Sequence, residues 1–275
     1  SKWKVTIFAA VPPIYHVLSK EAKGFKGLVL RYFFFRSVRI AISGAAPLPV
    51  SVLETFERKF GVPILEGYGM TETSPTISVN TADARRPGTV GKAIPRVSIK
   101  ILDDEGKELA TGQEGEVCAK GPNVMAGYFN LPQETQEIMT KDGYLRTGDI
   151  GRFDTDGFLT ICDRKKDMII VKGLKVFPVQ IEDIILKHPK VQEVAVVGIP
   201  VDAGSEIIKA FVTPKPGVEL AKGEIQDFLK DLPPYKRPRD IEIRATLPKN
   251  ALQKVLKREL RRETLESRNR QETTA

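Results

Sequence analysis

Tyr144-Leu-Arg-Thr-Gly-Asp-Ile-Gly-Arg-Phe-Asp-Thr-Asp-Gly-Phe-Leu-Thr-Ile-Cys-Asp-Arg-Lys-Lys-Asp167 threads charged residues between apolar ones. Thr147-Gly148-Asp149 reads as a tight turn and Asp154-Thr155-Asp156-Gly157 as a hairpin tip. A short apolar strand, 158–162, then runs into Asp163-Arg-Lys-Lys-Asp167. This reading sets Asp149 at the end of one strand and Arg164 at the end of the next. Two explanations stay open: solvation of an ordinary charged hairpin, or convergence of Asp149 and Arg164 on a ligand rich in hydroxyl groups.

The texture differs on the two sides of this stretch. Upstream, Val38 to Ile42 reads as a buried strand running into Ser43-Gly44-Ala45-Ala46. Pro49 then opens a helix with Val50, Leu53, Phe56 and Phe60 on one face, and Gly61 ends it. Val62-Pro-Ile-Leu-Glu-Gly-Tyr-Gly-Met-Thr-Glu72 follows as strand and turn. That alternation is the βαβ pattern of a parallel sheet, whose ligands sit at the carboxyl ends of strands. From Pro87 to Cys162, short strands with glycine turns predict an antiparallel sheet or small open barrel. After Asp167 come a strand pair around Lys172-Gly173, a helix from Val179 to Lys187, three strands, a helix from Lys222 to Leu232, and a basic helix from about Lys254 to Leu265. The expected organisation is α/β plus α+β: part of a large domain over 1–165, a small α+β domain over 166–265, and a polar tail over 266–275.

Composition narrows the function classes. The 275 residues are 41% apolar and 28% charged, as in ordinary soluble globular proteins. No apolar run is long enough to span a bilayer, and no signal peptide is visible. Cys118 and Cys162 lie far apart in apolar runs, which suggests neither a metal site nor a disulfide framework and favours a reducing compartment. His16 and His188 are the only histidines, and His188 before Pro189 reads as a helix-end residue. The net charge of +8 concentrates in Tyr235–Arg270, where twelve Lys/Arg face five Asp/Glu. Such an excess suits a phosphate-bearing partner. Nucleic acid is not expected, because Tyr235 is the one aromatic in that stretch and no reading motif accompanies it.

Glu66-Gly-Tyr-Gly-Met-Thr-Glu-Thr73 combines a flat ring at Tyr68, a hydroxyl at Thr71 and a hard carboxylate at Glu72. These suit base stacking, a phosphate contact and Mg²⁺ respectively. An ordinary Gly-Tyr-Gly turn explains the stretch as well on its own. Near the end, Leu247-Pro-Lys-Asn-Ala-Leu-Gln-Lys-Val-Leu-Lys-Arg-Glu-Leu260 places Lys249 and Lys254 in a basic loop before a helix. A Lys on such a loop can neutralise a carboxylate or phosphate, and a plain basic amphipathic helix is the simpler account.

Taken in order, Tyr68-Gly-Met-Thr-Glu72, Thr89-Val-Gly-Lys-Ala-Ile-Pro95, Gly143-Tyr-Leu-Arg-Thr-Gly-Asp149 and the run from Asp163 through Pro200 resemble the adenylate-forming superfamily of acyl-CoA synthetases, luciferase and peptide-synthetase adenylation domains. The detail is most similar to the medium- to long-chain fatty-acyl-CoA branch. The resemblance implies a two-step ligase that forms acyl-AMP and pyrophosphate from a fatty acid and ATP, then acyl-CoA and AMP from coenzyme A. It implies that Gly44, Ala45 and Ala46 line the adenine and acyl pocket, and that Tyr68 stacks on adenine. Thr71 would touch phosphate, Glu72 hold Mg²⁺, and Asp149 and Arg164 bind ribose. Lys166 falls at the family's hinge, Lys254 at its adenylation lysine, and Lys172-Gly173 in the loop of the thioester step. The implied location is the cytoplasm, with peripheral membrane contact left open.

Departures accompany the match. The family's Gly-rich phosphate loop does not occur in these residues, so the chain is expected to be a C-terminal portion and not competent by itself. Gln253 replaces the Gly before the family's lysine, Arg96 a Gly, and Gln180 a Glu. Two other readings stay open: a fragment that binds nucleotide or acyl-CoA without turnover, and an adenylation enzyme feeding a carrier protein.

Overall fold

Parallel strands need a crossover between them, and the first elements of the chain supply one. A computed structural model describes residues 4–22, 24–202, 204–250 and 254–273. The chain separates into two units, Ser1–Ile161 and Cys162–Ala275. The first begins with β1 (Ile7–Ala10), α1 (Pro12–Glu21), α2 (Gly24–Val29), β2 (Ile40–Ser43), α3 (Val50–Phe60) and β3 (Ile64–Gly69). β1, β2 and β3 pair in parallel. β4 (Thr76–Val79) and β5 (Lys92–Ala93) then extend the sheet antiparallel, in the order β1-β2-β3-β4-β5.

β2 begins two residues later than its apolar pattern suggests. Val38 closes a 3-10 turn by donating its N–H to the carbonyl of Phe35 at 3.1 Å, so pairing starts beyond it. α3 starts after Pro49 as expected and ends on Gly61 in a left-handed cap. Leu53, Phe56 and Phe60 turn inward, joining Tyr15, Phe35 and Ile64 in a core of edge-on and tilted rings 4.6–5.8 Å apart. The fully buried Tyr15 donates its hydroxyl to the carbonyl of Ile42 at 2.7 Å.

A second sheet completes this unit: β6 (Ser98–Leu102), β7 (Gly115–Lys120), then, after α4 (Pro132–Ile138), β8 (Leu145–Phe153) and β9 (Leu159–Arg164), in sequence order. Among the described residues it stays an open antiparallel sheet and does not close into a barrel. Ile77, Ile101, Val117, Ala119 and Leu159 form its core. Asp154–Gly157 is the expected hairpin tip, with the Asp154 carboxylate accepting the N–H groups of Asp156 and Phe158 at 2.9 Å. Thr147-Gly148-Asp149 is not a turn, and this corrects the sequence reading. It lies inside the nine-residue strand β8, where Gly148 at φ +70° makes a bulge and pairing with β7 resumes at Glu116–Ile150. Asp149 therefore projects from the middle of a strand.

The second unit begins within β9. Its elements are β10 (Ile169–Val171), β11 (Leu174–Val176), α5 (Pro178–Ile185), β12 (Val191–Asp202), β13 (Ser205–Pro214), α6 (Lys222–Phe228), β14 (Asp240–Ile243) and α7 (Lys257–Thr273). β12, β13 and β14 form one sheet, with β13 and β14 parallel. β12 is buried on both faces. Val196 packs with Ile181, Ile185, Ile225 and Leu229 of the α5 and α6 side, while Ala195, Val197 and Ile199 pack with Leu260 of α7. The two-residue alternation of the strand assigns each side chain to its layer.

α6 ends at Phe228, short of Leu232, because Pro233 and Pro234 follow and the chain has already tightened into turns. α7 begins at Lys257, because the described residues on either side of 251–253 are paired with each other. The Asn250 side chain accepts the N–H of Lys254 at 2.9 Å, and Lys249 bridges to Val255. The helix then continues to Thr273, through residues whose composition reads as a polar tail. Gln253 lies outside the described residues.

Phe56, wholly buried between two edge-on rings and one tilted ring, carries a direct test of this core. Phe56→Ala is expected to lower the stability of the first unit by about 3–5 kcal/mol, read from urea unfolding followed by the unit's own tyrosines. A loss under about 1 kcal/mol would show that the ring cluster is not the core.

Candidate functional site

Within the first unit the predicted turns sit at adjoining strand ends. Ser43 and Glu66 are paired positions of β2 and β3, so Gly44-Ala45-Ala46 follows the end of β2, while Gly67-Tyr68-Gly69 is not a turn but continues β3 and pairs antiparallel with β4. Gly69 permits a backbone crossing: a Cβ there would lie 1.8 Å from the carbonyl oxygen of Pro75. Ala45 adopts φ +69°, a left-handed conformation costly for a residue with a Cβ, and it is exposed.

The bulge in β8 brings Asp149 to Tyr68, whose hydroxyl donates to Asp149 Oδ2 at 2.5 Å. Thr71 and Glu72 follow in a 3-10 turn. The Glu72 carboxylate, half-buried, accepts the hydroxyl of Tyr128 at 2.9 Å, and its carbonyl accepts the N–H of Met125 at 2.9 Å. Donating that bond to the carboxylate raises the Tyr128 phenol above its ordinary range. Asn123 holds the turn from below, donating to the carbonyls of Thr73 and Thr76 at 2.7 and 2.8 Å.

Four predicted residues, Tyr68, Thr71, Glu72 and Asp149, therefore share one edge of the first unit with Gly44–Ala46. The remaining predicted residues belong to the second unit. Arg164 ends β9 and is exposed, and Lys166 lies in the 3-10 turn that follows. Lys172 and Gly173 form the exposed tip between β10 and β11, both with positive φ. Lys254 is exposed in the closed loop before α7.

Sequence reading passed over Glu66, Asn80 and Tyr128. Asn80 is buried and holds the 86–89 loop, donating to the carbonyl of Thr89 at 2.7 Å and accepting the N–H of Arg86 at 2.8 Å. Glu66 is only 8% exposed, and burial pushes its carboxyl up to about 7 against the backbone N–H groups of Gly88 and Leu48 that pull it down. A charged residue directly after the apolar run Val62–Leu65 was the available signal.

A nucleotide fits this edge. The Tyr68 ring is half-buried, and hydroxyl and carboxylate donors and acceptors flank it. For a magnesium ion the donor set is Glu72 plus phosphate oxygens. Among the described residues no three His, Cys, Asp or Glu gather into a cage, as is usual for Mg²⁺ on a phosphorylated substrate.

Comparison with known proteins gives the family. A profile described as "AMP-binding enzyme" matches residues 1–129, and one described as "AMP-binding enzyme C-terminal domain" matches residues 180–254. A long-chain-fatty-acid–CoA ligase of Salmonella typhimurium is 44% identical over 230 residues, covering 83% of this chain and 41% of that protein. The ligase of that name from Bacillus subtilis is 39% identical over 269 residues, 97% of this chain and 47% of that one. The solved structure of ATP-bound MatB from Rhodopseudomonas palustris matches with a TM-score of 0.86 at 34% identity, over 94% of this chain and 51% of that one. The chain belongs to the adenylate-forming, AMP-binding enzymes. It spans somewhat less than half the length of the curated relatives it matches.

Because the fold holds a proton on Glu66 from the ordinary value of 4.5 up to about 7, stability is greatest below that window and falls as pH rises through it. Urea unfolding of the first unit is expected to show a decline of order 2 kcal/mol between pH 4.5 and 7.5, absent in Glu66→Gln. Equal slopes in the two proteins would exclude a buried acid at this position.

Proposed function

We propose that this chain carries the adenylate-binding edge and the C-terminal domain of an AMP-forming fatty-acyl-CoA synthetase. In that reaction a fatty carboxylate and ATP give acyl-AMP and pyrophosphate, and coenzyme A then takes the acyl group with release of AMP. The observation that carries the reading is the bond from Tyr68 to Asp149 beside Gly44–Ala46, in a chain whose relatives are named long-chain-fatty-acid–CoA ligases.

Each residue then has a task set by its chemistry. Tyr68 presents its ring face to adenine, with its hydroxyl anchored by Asp149. Asp149 accepts from the ribose hydroxyls, and Arg164 donates to the same sugar without loss of charge. Thr71 donates to a phosphate oxygen. Glu72 is the protein's ligand for Mg²⁺, which when bound offsets the negative charge gathered on the triphosphate. Gly44, Ala45 and Ala46 line the pocket with backbone and small side chains. Lys254 neutralises carboxylate and phosphate in adenylation. Lys166 serves as hinge, withdrawing Lys254 and bringing Lys172-Gly173 in for thioester formation.

A cytoplasmic location with peripheral membrane contact belongs to the same reading. Phe25, Tyr32, Phe33 and Phe34 are exposed beside Lys26 and Arg31, and no acidic residue occurs between Glu21 and Glu54. Among the described residues no helix is long and apolar enough to cross a membrane.

Two measurements on the native gene product test the proposal. Lys254→Ala is expected to lower fatty-acid-dependent ATP–pyrophosphate exchange by roughly 10²–10³ while sparing acyl-CoA formation from supplied acyl-AMP; equal loss of both steps refutes the role of the lysine. Asp149→Ala is expected to weaken AMP binding by about 10- to 100-fold, measured by calorimetry, and unchanged affinity removes the ribose contact. Tight AMP binding without any exchange would favour a binding protein over a ligase.

A further inference from the structure

The tip that carries Lys172 and Gly173 belongs to a small element. Among the described residues β10 and β11 form a sheet of two strands, and a two-stranded hairpin is marginal by itself. Ile169 and Val176 are fully buried at its base, while residues 172–175 are exposed. Val171 pairs with Leu174, so Lys172-Gly173 is a two-residue connection, with φ +49° and +81°. Such turns usually take Asn-Gly, because a larger side chain is strained at the first position.

Two side chains at the start of β13 hold this hairpin by its backbone. Ser205 Oγ accepts the N–H of Lys172 at 3.2 Å. Glu206 Oε2 accepts the N–H of Ile170 at 3.1 Å. In a two-residue hairpin the residues flanking the tip exchange the ladder bonds, so the next N–H inward faces away from the partner strand. Glu206 supplies the acceptor that the ladder does not. Its second oxygen, Oε1, accepts from the guanidinium of Arg261 in α7 at 2.7 Å. Gly198 of β12 makes room for this arrangement, since a Cβ there would lie 2.8 Å from the Glu206 carboxylate. The Glu206 side chain is 15% exposed, so water competes less for these bonds than at an open surface.

We propose that Glu206 is a positioning residue for the thioester step: its carboxylate ties the β10–β11 hairpin and α7 to the base of β13, and so fixes the Lys172-Gly173 tip. The proposal deepens the reading of that tip as the loop of the thioester step, and rests on it. A tip that enters a site must arrive in one geometry, and a misplacement of about 1 Å can cost 100-fold in rate. Adenylation does not call on the tip. Helix α7 keeps its own seat through Leu260, buried with Ala195, Val197 and Ile199, so losing the Arg261 bond does not free the helix or the Lys254 loop before it. The tether therefore acts on one half-reaction and leaves the other.

Hydrogen exchange on this chain and half-reaction kinetics on the native gene product test the tether, with Glu206→Ala, Glu206→Gln and Gly198→Ala. In Glu206→Ala the Ile170 amide is expected to lose exchange protection by roughly tenfold. Acyl-CoA formation from supplied acyl-AMP should slow about 10- to 100-fold, while fatty-acid-dependent ATP–pyrophosphate exchange stays within about twofold. Glu206→Gln keeps an acceptor for Ile170 and should restore most of both readouts. Gly198→Ala leaves the carboxylate intact but displaces it, and should reproduce the Glu206→Ala pattern. Full Ile170 protection in Glu206→Ala, or equal loss of both half-reactions, would overturn the proposal. If Glu206→Ala does not fold, Gly198→Ala decides by the same two readouts. A released Ile170 amide with undiminished thioester formation would overturn the positioning role and leave the ligase reading intact. A wild-type protein that exchanges pyrophosphate yet forms no acyl-CoA would remove the thioester reading of Lys172-Gly173, and the proposal with it.

Discussion

The hydroxyl of Tyr68 and the carboxylate of Asp149 meet at 2.5 Å across 81 residues of chain, and the candidate site of the first unit is organised around that contact. The ring comes from the end of a parallel strand, while the acid comes from the middle of an antiparallel one. Joining them requires two departures from regular backbone. Gly69 lets the end of β3 pass within touching distance of Pro75, and Gly148 turns β8 aside for one residue without ending it. A carboxylate aimed from a bulge is held by ladder pairing on both sides, which is a stiffer mounting than a loop.

Beneath the contact, buried polar groups take up the work of fixing loops. Asn80 and Thr89 together engage the backbone of the proline-containing segment that covers the sheet. Proline removes conformational freedom and donors together, so the few N–H groups left in such segments decide where they dock. Charged groups at the rim act differently. Arg86 bridges Asp154 and Asp156 and lies over the Phe158 ring, with its centre 4.5 Å from the ring centroid. This pins the same loop to the hairpin tip through contacts that water screens.

The second unit answers a different constraint. β12 must satisfy two cores at once, and its neighbours are placed accordingly, α5 and α6 on one side and α7 on the other. A buried acid serves here too: Glu182 accepts the N–H of Val196 at 2.7 Å and the ammonium of Lys257 at 2.7 Å. Burial raises its carboxyl and the lysine opposes that shift.

Periodicity and punctuation made much of this legible in the amino-acid order. Leu53, Phe56 and Phe60 marked the inward face of α3, Pro49 and Gly61 its ends, and the spaced motifs from Tyr68 to Lys254 carried the family. Local pattern was insufficient where a distant contact decided the outcome. Thr147-Gly148-Asp149 has the composition of a turn, yet pairing with β7 on both sides keeps it in a strand. The bridge between Lys249 and Val255 delays α7, and packing of Leu260 against β12 favours a longer helix than its polar sequence suggests. Glu66 looked like one charge beside an apolar run, because its burial depends on the flanking strands β2 and β4 that only the folded sheet brings to it. Sequence alone determined the order of strands and helices and the identity of the chemical groups. The tertiary structure decided which groups share one dry environment, since desolvation and hydrogen-bond geometry exist only once distant segments are in contact.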